Sequence, residues 1–159
     1  MTLTKDVELL RNIPLFAKVE PAKLKLLAFT SERLKYLSGD ELFQQGAYGD
    51  AAYIILDGKA DVLIESPKGT VKVATLGKDI VGEIAPLCDV PRTATVVAHG
   101  DLETLRVSKD GFLYLITQFP QVGVEVMSGL ATKLHRTTQL LIGGAPPSSM
   151  SWPSVDCRG

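Results

Sequence analysis

The residues best equipped for chemistry lie in one stretch, Val81-Gly82-Glu83-Ile84-Ala85-Pro86-Leu87-Cys88-Asp89-Val90-Pro91-Arg92-Thr93-Ala94-Thr95-Val96. Gly82 lets another group approach the backbone closely. Residues 83–87 suit one short helical turn, whose first N–H groups point outward and attract an anion. Arg92 follows Glu83 by nine residues, at the start of a β-prone run. Its guanidinium fork matches phosphate oxygens, where a lysine offers only a point charge. A carboxylate cannot sit on a phosphate, but Glu83 can accept a hydrogen bond from a sugar hydroxyl beside one. The chemistry that suits these types and spacings is a small phosphate with a ribose. Glu83 and Arg92 equally suit a plain surface ion pair over an ordinary loop.

These residues need elements to hold them, and the texture of the chain supplies candidates. Leu3, Val7, Leu10 and Ile13 recur at helical spacing over 3–13, and Pro14 ends that segment. A second helix is expected over 21–31, with Pro21 at its first position and Leu24, Leu27 and Ala28 on its buried face. From about 33 to 107, short β-prone runs (RLKYLS, ELFQQG, AAYIILDG, KADVLIES, TVKVATLG, TATVVAHG, LETLRVS) are broken by Gly, Asp and Pro. Pro67-Lys68-Gly69 is expected to be a hairpin tip and Asp57-Gly58 another tight turn. Ser108 is an N-cap for 109–118, and Pro120 opens a longer helix to about 142. Its apolar stripe runs Val122, Val126, Leu130, Leu134, Leu140, Leu141. The expected fold is α+β: an antiparallel β-roll, jelly-roll-like, with helices segregated at its N-terminal and C-terminal ends. Residues 1–142 form the domain. The Gly/Pro/Ser-rich tail 143–159 is expected to be disordered or of artificial origin.

Composition removes several function classes. The 159 residues are 45% hydrophobic and 22% charged, as in an ordinary globular protein. Seventeen Lys and Arg against eighteen Asp and Glu give a net charge of −1, which argues against nucleic acid as the main partner. The first twenty residues contain no apolar core of a secretory signal, and no apolar run reaches the length of a membrane span. Cys88 and Cys157 form no metal or disulfide pattern, and His99 and His135 lie in different segments, so no metal or haem site is expected. The default location is the cytoplasm.

The stretch 81–94 resembles the phosphate-binding cassette of the cyclic nucleotide-binding domains, in which Phe-Gly-Glu-(Leu/Ile)-Ala-Leu is followed, after a short gap, by Pro-Arg-x-Ala. Here it reads Val81-Gly82-Glu83-Ile84-Ala85-Pro86-Leu87, then Pro91-Arg92-Thr93-Ala94. Upstream, Gly39-Asp40-Glu41-Leu42-Phe43-Gln44-Gln45-Gly46 is similar to the family's glycine-turn element, and Asp50 to Gly58 to its next strand and turn. The resemblance covers about residues 7–142. It implies that Glu83 accepts from the ribose 2′-hydroxyl and that Arg92 pairs with the exocyclic oxygens of the cyclic phosphate. It also implies that amides near Gly82, Glu83, Ile84 and Ala85, with the Thr93 hydroxyl and the Ala94 amide, complete the phosphate site. Val71, Val73 and Val81 would line the base pocket, or would simply be core. Val81 stands where an aromatic is common and Pro86 where an aliphatic is common; neither removes a polar contact. Thr93 is similar to what cGMP-responsive members carry, but cAMP-binding members have Ser or Thr there too, so cAMP is favoured with cGMP tolerated.

The resemblance also implies a lid in the last helix. Lys133 falls near a base-contacting arginine of some bacterial channel members; otherwise Lys133 and Arg136 are a solvated basic face. Leu130 and Leu134 are the apolar lid candidates. No nucleophile–base pair is evident and no catalysis is expected. The cyclic nucleotide is then a ligand rather than a cofactor, and the chain a sensor that couples binding to movement of its C-terminal helices. The partner is an effector protein or a covalently linked effector domain, because the long helix runs into the Pro/Ser tail rather than a helix-turn-helix. The same apolar stripe would also permit a homodimer. Two competing readings are a ligand-free interaction domain that keeps the fold and a cupin-like metalloenzyme, for which the strands offer only His99.

Overall fold

Proline and serine set the helix boundaries. In the computed structural model, which describes residues 2–142, α1 spans Thr2–Arg11 and a single 3₁₀ turn follows at Pro14–Phe16. Helix α2 spans Pro21–Thr30 with Pro21 at its first turn, where a missing N–H is harmless. Leu24, Leu27 and Ala28 form its buried face. Later in the chain, the Ser108 hydroxyl accepts from the Gly111 amide at 3.1 Å and caps α4, Lys109–Gln118. Pro120 then opens α5, Pro120–Leu141.

Between the helical ends lie β1 (Glu32–Tyr36), β2 (Glu41–Phe43), β3 (Ala52–Ser66), β4 (Gly69–Leu76), β5 (Ile80–Val81), the short helix α3 (Ile84–Cys88) and β6 (Thr95–Val107). All pairings are antiparallel, in the order β1-β6-β3-β4, with β2 added to β6 and β5 to β3. This is the expected α+β roll. The Pro67-Lys68 tip joins β3 to β4, with Ser66 paired to Gly69.

Two expected breaks are not breaks. AAYIILDG and KADVLIES form one strand, and so do TATVVAHG and LETLRVS. Asp57-Gly58 is a bulge within β3, not a hairpin turn: the β3–β6 register shifts on both sides of Asp57 while the ladder continues. A Cβ on Gly58 would lie 2.3 Å from the Asp101 carbonyl oxygen, so the glycine lets two bent strands touch. Turn chemistry and bulge chemistry use the same residues, and only the partner strand separates them.

The sheet divides two cores. Ile54, Leu56, Leu105 and Val107 meet the helices through Leu10, Ile13, Phe16, Leu24, Phe112 and Val122. Tyr53, Ile55, Val81, Val96 and Leu102 fill the inside of the roll. AAYIIL is continuously apolar because both faces of this strand are buried. On α5, Val122 and Val126 are buried and Leu130 packs beside them, whereas Leu134 is 65% exposed. The side chains of Leu140 and Leu141 and the tail 143–159 lie outside the described residues. No helix among the described residues is long and apolar enough to cross a membrane.

One ion-pair cluster ties the N-terminal helix to the sheet. Arg33 on β1 donates to both Asp6 of α1 and Glu103 of β6, and Asp6 is buried. The hydrogen bond from Arg33 holds the Glu103 carboxyl below its usual value. A depressed carboxylate favours the folded state above its free-chain pKa and loses that contribution as the pH falls through the depressed value. The melting temperature should therefore fall as the pH drops below the ordinary carboxylate range. Glu103→Gln should lower it at neutral pH and flatten the acid decline; a variant profile parallel to the wild type would remove this cluster from the stability account.

Candidate ligand-binding cleft

The cleft opens where β5 ends. Val81 pairs with Tyr53 of β3, and the chain then turns at Gly82, whose φ is +76°. Glu83 precedes α3 with no side-chain cap on the helix start, and Asp89 ends α3 in the left-handed conformation, which Asp tolerates. Pro86 lies within the first turn of α3, so its missing N–H removes no helix bond. The chain returns past Arg92, whose amide donates to the Ala47 carbonyl at 2.9 Å while its carbonyl accepts from the Gly46 amide at 2.8 Å. The segment after β2 thus grips the backbone of Arg92 from outside.

The cleft has a cavity volume of about 130 Å³ and is open to solvent at its mouth. Its apolar wall comes from Val62, Ile64, Val73, Leu76, Val81 and Val96. Gly82, Glu83, Ile84, Ala85, Arg92, Thr93 and Ala94 form the polar end, and Lys133 and Arg136 reach in from α5. Ten of the expected site residues are therefore brought together: Val73, Val81, Gly82, Glu83, Ile84, Ala85, Arg92, Thr93, Ala94 and Lys133. Val71 is not among them. It lies 45% exposed on β4, in register with Ile64, and does not line the cleft.

Glu83 is 3% exposed and Arg92 5% exposed. They do not form the ion pair that their spacing allowed; each has other partners. The Arg92 Nη1 donates to the Gly82 carbonyl at 2.9 Å and Nη2 to the Ala51 carbonyl at 2.8 Å, and Nε has no partner among the described residues. Burial lowers the pKa of this guanidinium. Glu83 receives Lys133 Nζ at 3.2 and 3.3 Å, and that ammonium also donates to the Ile80 carbonyl at 2.8 Å. Burial raises the Glu83 pKa and the neighbouring Lys133 charge opposes the rise. The solvated reading of the basic face therefore fails for Lys133, which joins α5 to the cleft floor. Leu130 and Leu134, the apolar lid candidates, do not line the cleft.

Several lining residues went unassigned from sequence. Val62 and Ile64 alternate along β3, but their facing side depends on the pairing with β4. Phe43 sits inside a recognised element without a role of its own. His99 meets Asp61 at 3.0 Å, and no group of three His, Cys, Asp or Glu side chains among the described residues is placed to hold a metal.

The family model described as the cyclic nucleotide-binding domain matches residues 33–119, more than half of the chain. The chain belongs to this family. A cAMP-dependent protein kinase regulatory subunit of Aspergillus fumigatus is 36% identical over 107 residues, which is 67% of this chain and 26% of that protein. A CRP-like cAMP-activated global transcriptional regulator of Mycobacterium tuberculosis is 26% identical, over 84% of this chain and 61% of that protein. The chain thus spans about a quarter of the fungal regulatory subunits that it matches. The crystal structure of the Thermus thermophilus Catabolite Activator Protein superposes with a TM-score of 0.70 at 30% identity, covering 80% of this chain and 61% of that one. These relatives are named as regulatory proteins.

Gly82 is the glycine that the cleft of this cyclic nucleotide-binding domain constrains through both conformation and space. A Cβ there would lie 2.8 Å from Arg92 Nη1 and 2.9 Å from the Phe43 ring, at a positive φ. Gly82→Ala should destabilise the fold by about 1–3 kcal/mol in urea titration. An unchanged midpoint would show that the turn relaxes freely.

Proposed function

We propose that residues 1–142 form a cyclic nucleotide sensor that binds cAMP, tolerates cGMP and passes the event on through α5, without catalysing a reaction itself. The observation that carries this reading is Arg92: a guanidinium buried without a carboxylate partner at the polar end of an apolar cleft. Burying a cation costs free energy that carbonyl dipoles offset only in part, and a phosphate offsets the rest. Glu83 accepts from the ribose 2′-hydroxyl, as a buried acceptor within the same cleft. Amides of the 82–85 turn, the Thr93 hydroxyl and the Ala94 amide meet the remaining phosphate oxygens, and Val73 and Val81 lie against the base.

A carboxylate offers about four lone-pair positions, so Glu83 can hold Lys133 and a ribose hydroxyl together. Lys133 is then the link from ligand to lid: any shift of Glu83 pulls on α5. The names of the fungal and mycobacterial relatives, cAMP-dependent and cAMP-activated, support cAMP as the ligand. The effector is a separate protein or a domain on the same polypeptide, working in the cytoplasm. Val124 and Met127 are exposed on the outer face of α5, which leaves homodimerisation open to this helix.

Calorimetric titration with cAMP and then cGMP tests the reading. Micromolar or tighter binding of cAMP is expected, and the cGMP ratio reports on Thr93. Arg92→Ala should cost about 2–4 kcal/mol of binding, or roughly 30- to 1,000-fold, and Glu83→Ala less. Binding of neither nucleotide, or unchanged affinity in Arg92→Ala, overturns the reading. For the coupling, cAMP should alter amide hydrogen exchange across residues 130–136. At saturating cAMP, Lys133→Ala should lose that change; if the change persists, α5 is driven by another contact.

A further inference from the structure

The position of Arg92 has a structural cause outside the cassette. Phe43 comes from β2, far from Arg92 in sequence, and is placed by its pairing with Val96 of β6. Its ring lies 4.2 Å from Arg92 Cζ, within the roughly 6 Å reach of a cation–π contact. Tyr53 backs the pair, with its ring 5.8 Å from the same Cζ and 5.7 Å from Phe43. Two glycines complete the enclosure. A Cβ on Gly49 would lie 2.9 Å from both Arg92 Nε and Nη2, and one on Gly82 2.8 Å from Nη1. Gly49 does not have a positive φ, so the space for Arg92 is the constraint at that position.

We infer that Phe43 is a positioning residue for phosphate recognition: its ring face, with Gly49 and Gly82 close against the guanidinium, fixes the plane of the Arg92 fork that meets the ligand. This rests on the reading that Arg92 binds a phosphate. A free arginine would lose side-chain entropy on binding; a clamped one has already lost it, and a planar fork rewards a fixed plane more than an ammonium does. Phe43 also lines the cleft, so its direct contact with the base is the competing explanation.

Three variants and two readouts separate the two. Phe43→Leu keeps an apolar group but removes the ring quadrupole, Phe43→Tyr keeps the quadrupole, and Gly49→Ala places a Cβ whose three nearest atoms all belong to Arg92. The ¹H–¹⁵N signal of Arg92 Nε–H in the ligand-free protein reports ring shielding and side-chain order. Titration with cAMP reports affinity, and thermal melting confirms that each variant is folded. Phe43→Leu should weaken cAMP binding about tenfold and move and broaden the Arg92 signal. Phe43→Tyr should retain both, and Gly49→Ala should weaken cAMP and move the signal. An unchanged affinity in Phe43→Leu, or a loss with the Arg92 signal as sharp as in the wild type, overturns the inference, the latter by assigning Phe43 to direct ligand contact. If Phe43→Leu does not fold, Gly49→Ala decides, and unchanged affinity there overturns it. If the wild-type protein binds neither nucleotide, the functional reading fails alone. The Arg92 signal in Phe43→Leu then still tests the clamp, and a signal as sharp as in the wild type overturns it.

Discussion

A guanidinium withdrawn from water must be met by its surroundings, and much of the cleft is organised around that requirement for Arg92. Two backbone carbonyls, from Gly82 and Ala51, accept from its outer nitrogens, and the Phe43 ring covers its face. None of these is a full negative charge. The folded protein therefore holds a cation compensated by dipoles beside an apolar cavity. Two glycines keep the surrounding space open, so backbone conformation and electrostatics are settled together at this point.

The same arrangement links the cleft to the helices. Strand β3 faces the roll through Tyr53 and Ile55 and the helices through Ile54 and Leu56, so the two cores share one strand. Glu83 adds a polar link through Lys133 of α5. Burial favours the neutral form of Glu83 and the lysine charge favours the ionised form.

Much of this was legible before the fold was known. Pro21, Ser108 and Pro120 mark helix starts by local stereochemistry alone, and they stand where the structure begins its helices. The cassette was legible because its chemistry is local: Gly82, Glu83 and Arg92 sit within eleven residues. Asp57-Gly58 and Gly100 misled, because a glycine with positive φ serves a turn or a bulge equally well. Val71 is outside the cleft lining although its register partner Ile64 is inside it, a difference that alternation along one strand does not show.

Composition and periodicity were enough, from the sequence alone, to determine an α+β roll with helices at both ends, and the local spacing singled out the stretch that carries Glu83 and Arg92. These are properties of neighbours along the chain, set by backbone stereochemistry and side-chain chemistry within a few bonds. Tertiary structure alone decided the partners. Glu83 meets Lys133 across fifty residues, Arg92 lies against Phe43 and Gly49, and Val62 and Ile64 face the cleft. Each of these contacts depends on strand register and on where α5 crosses the roll. Register is a collective outcome of packing two buried faces at once, and no local pattern encodes it.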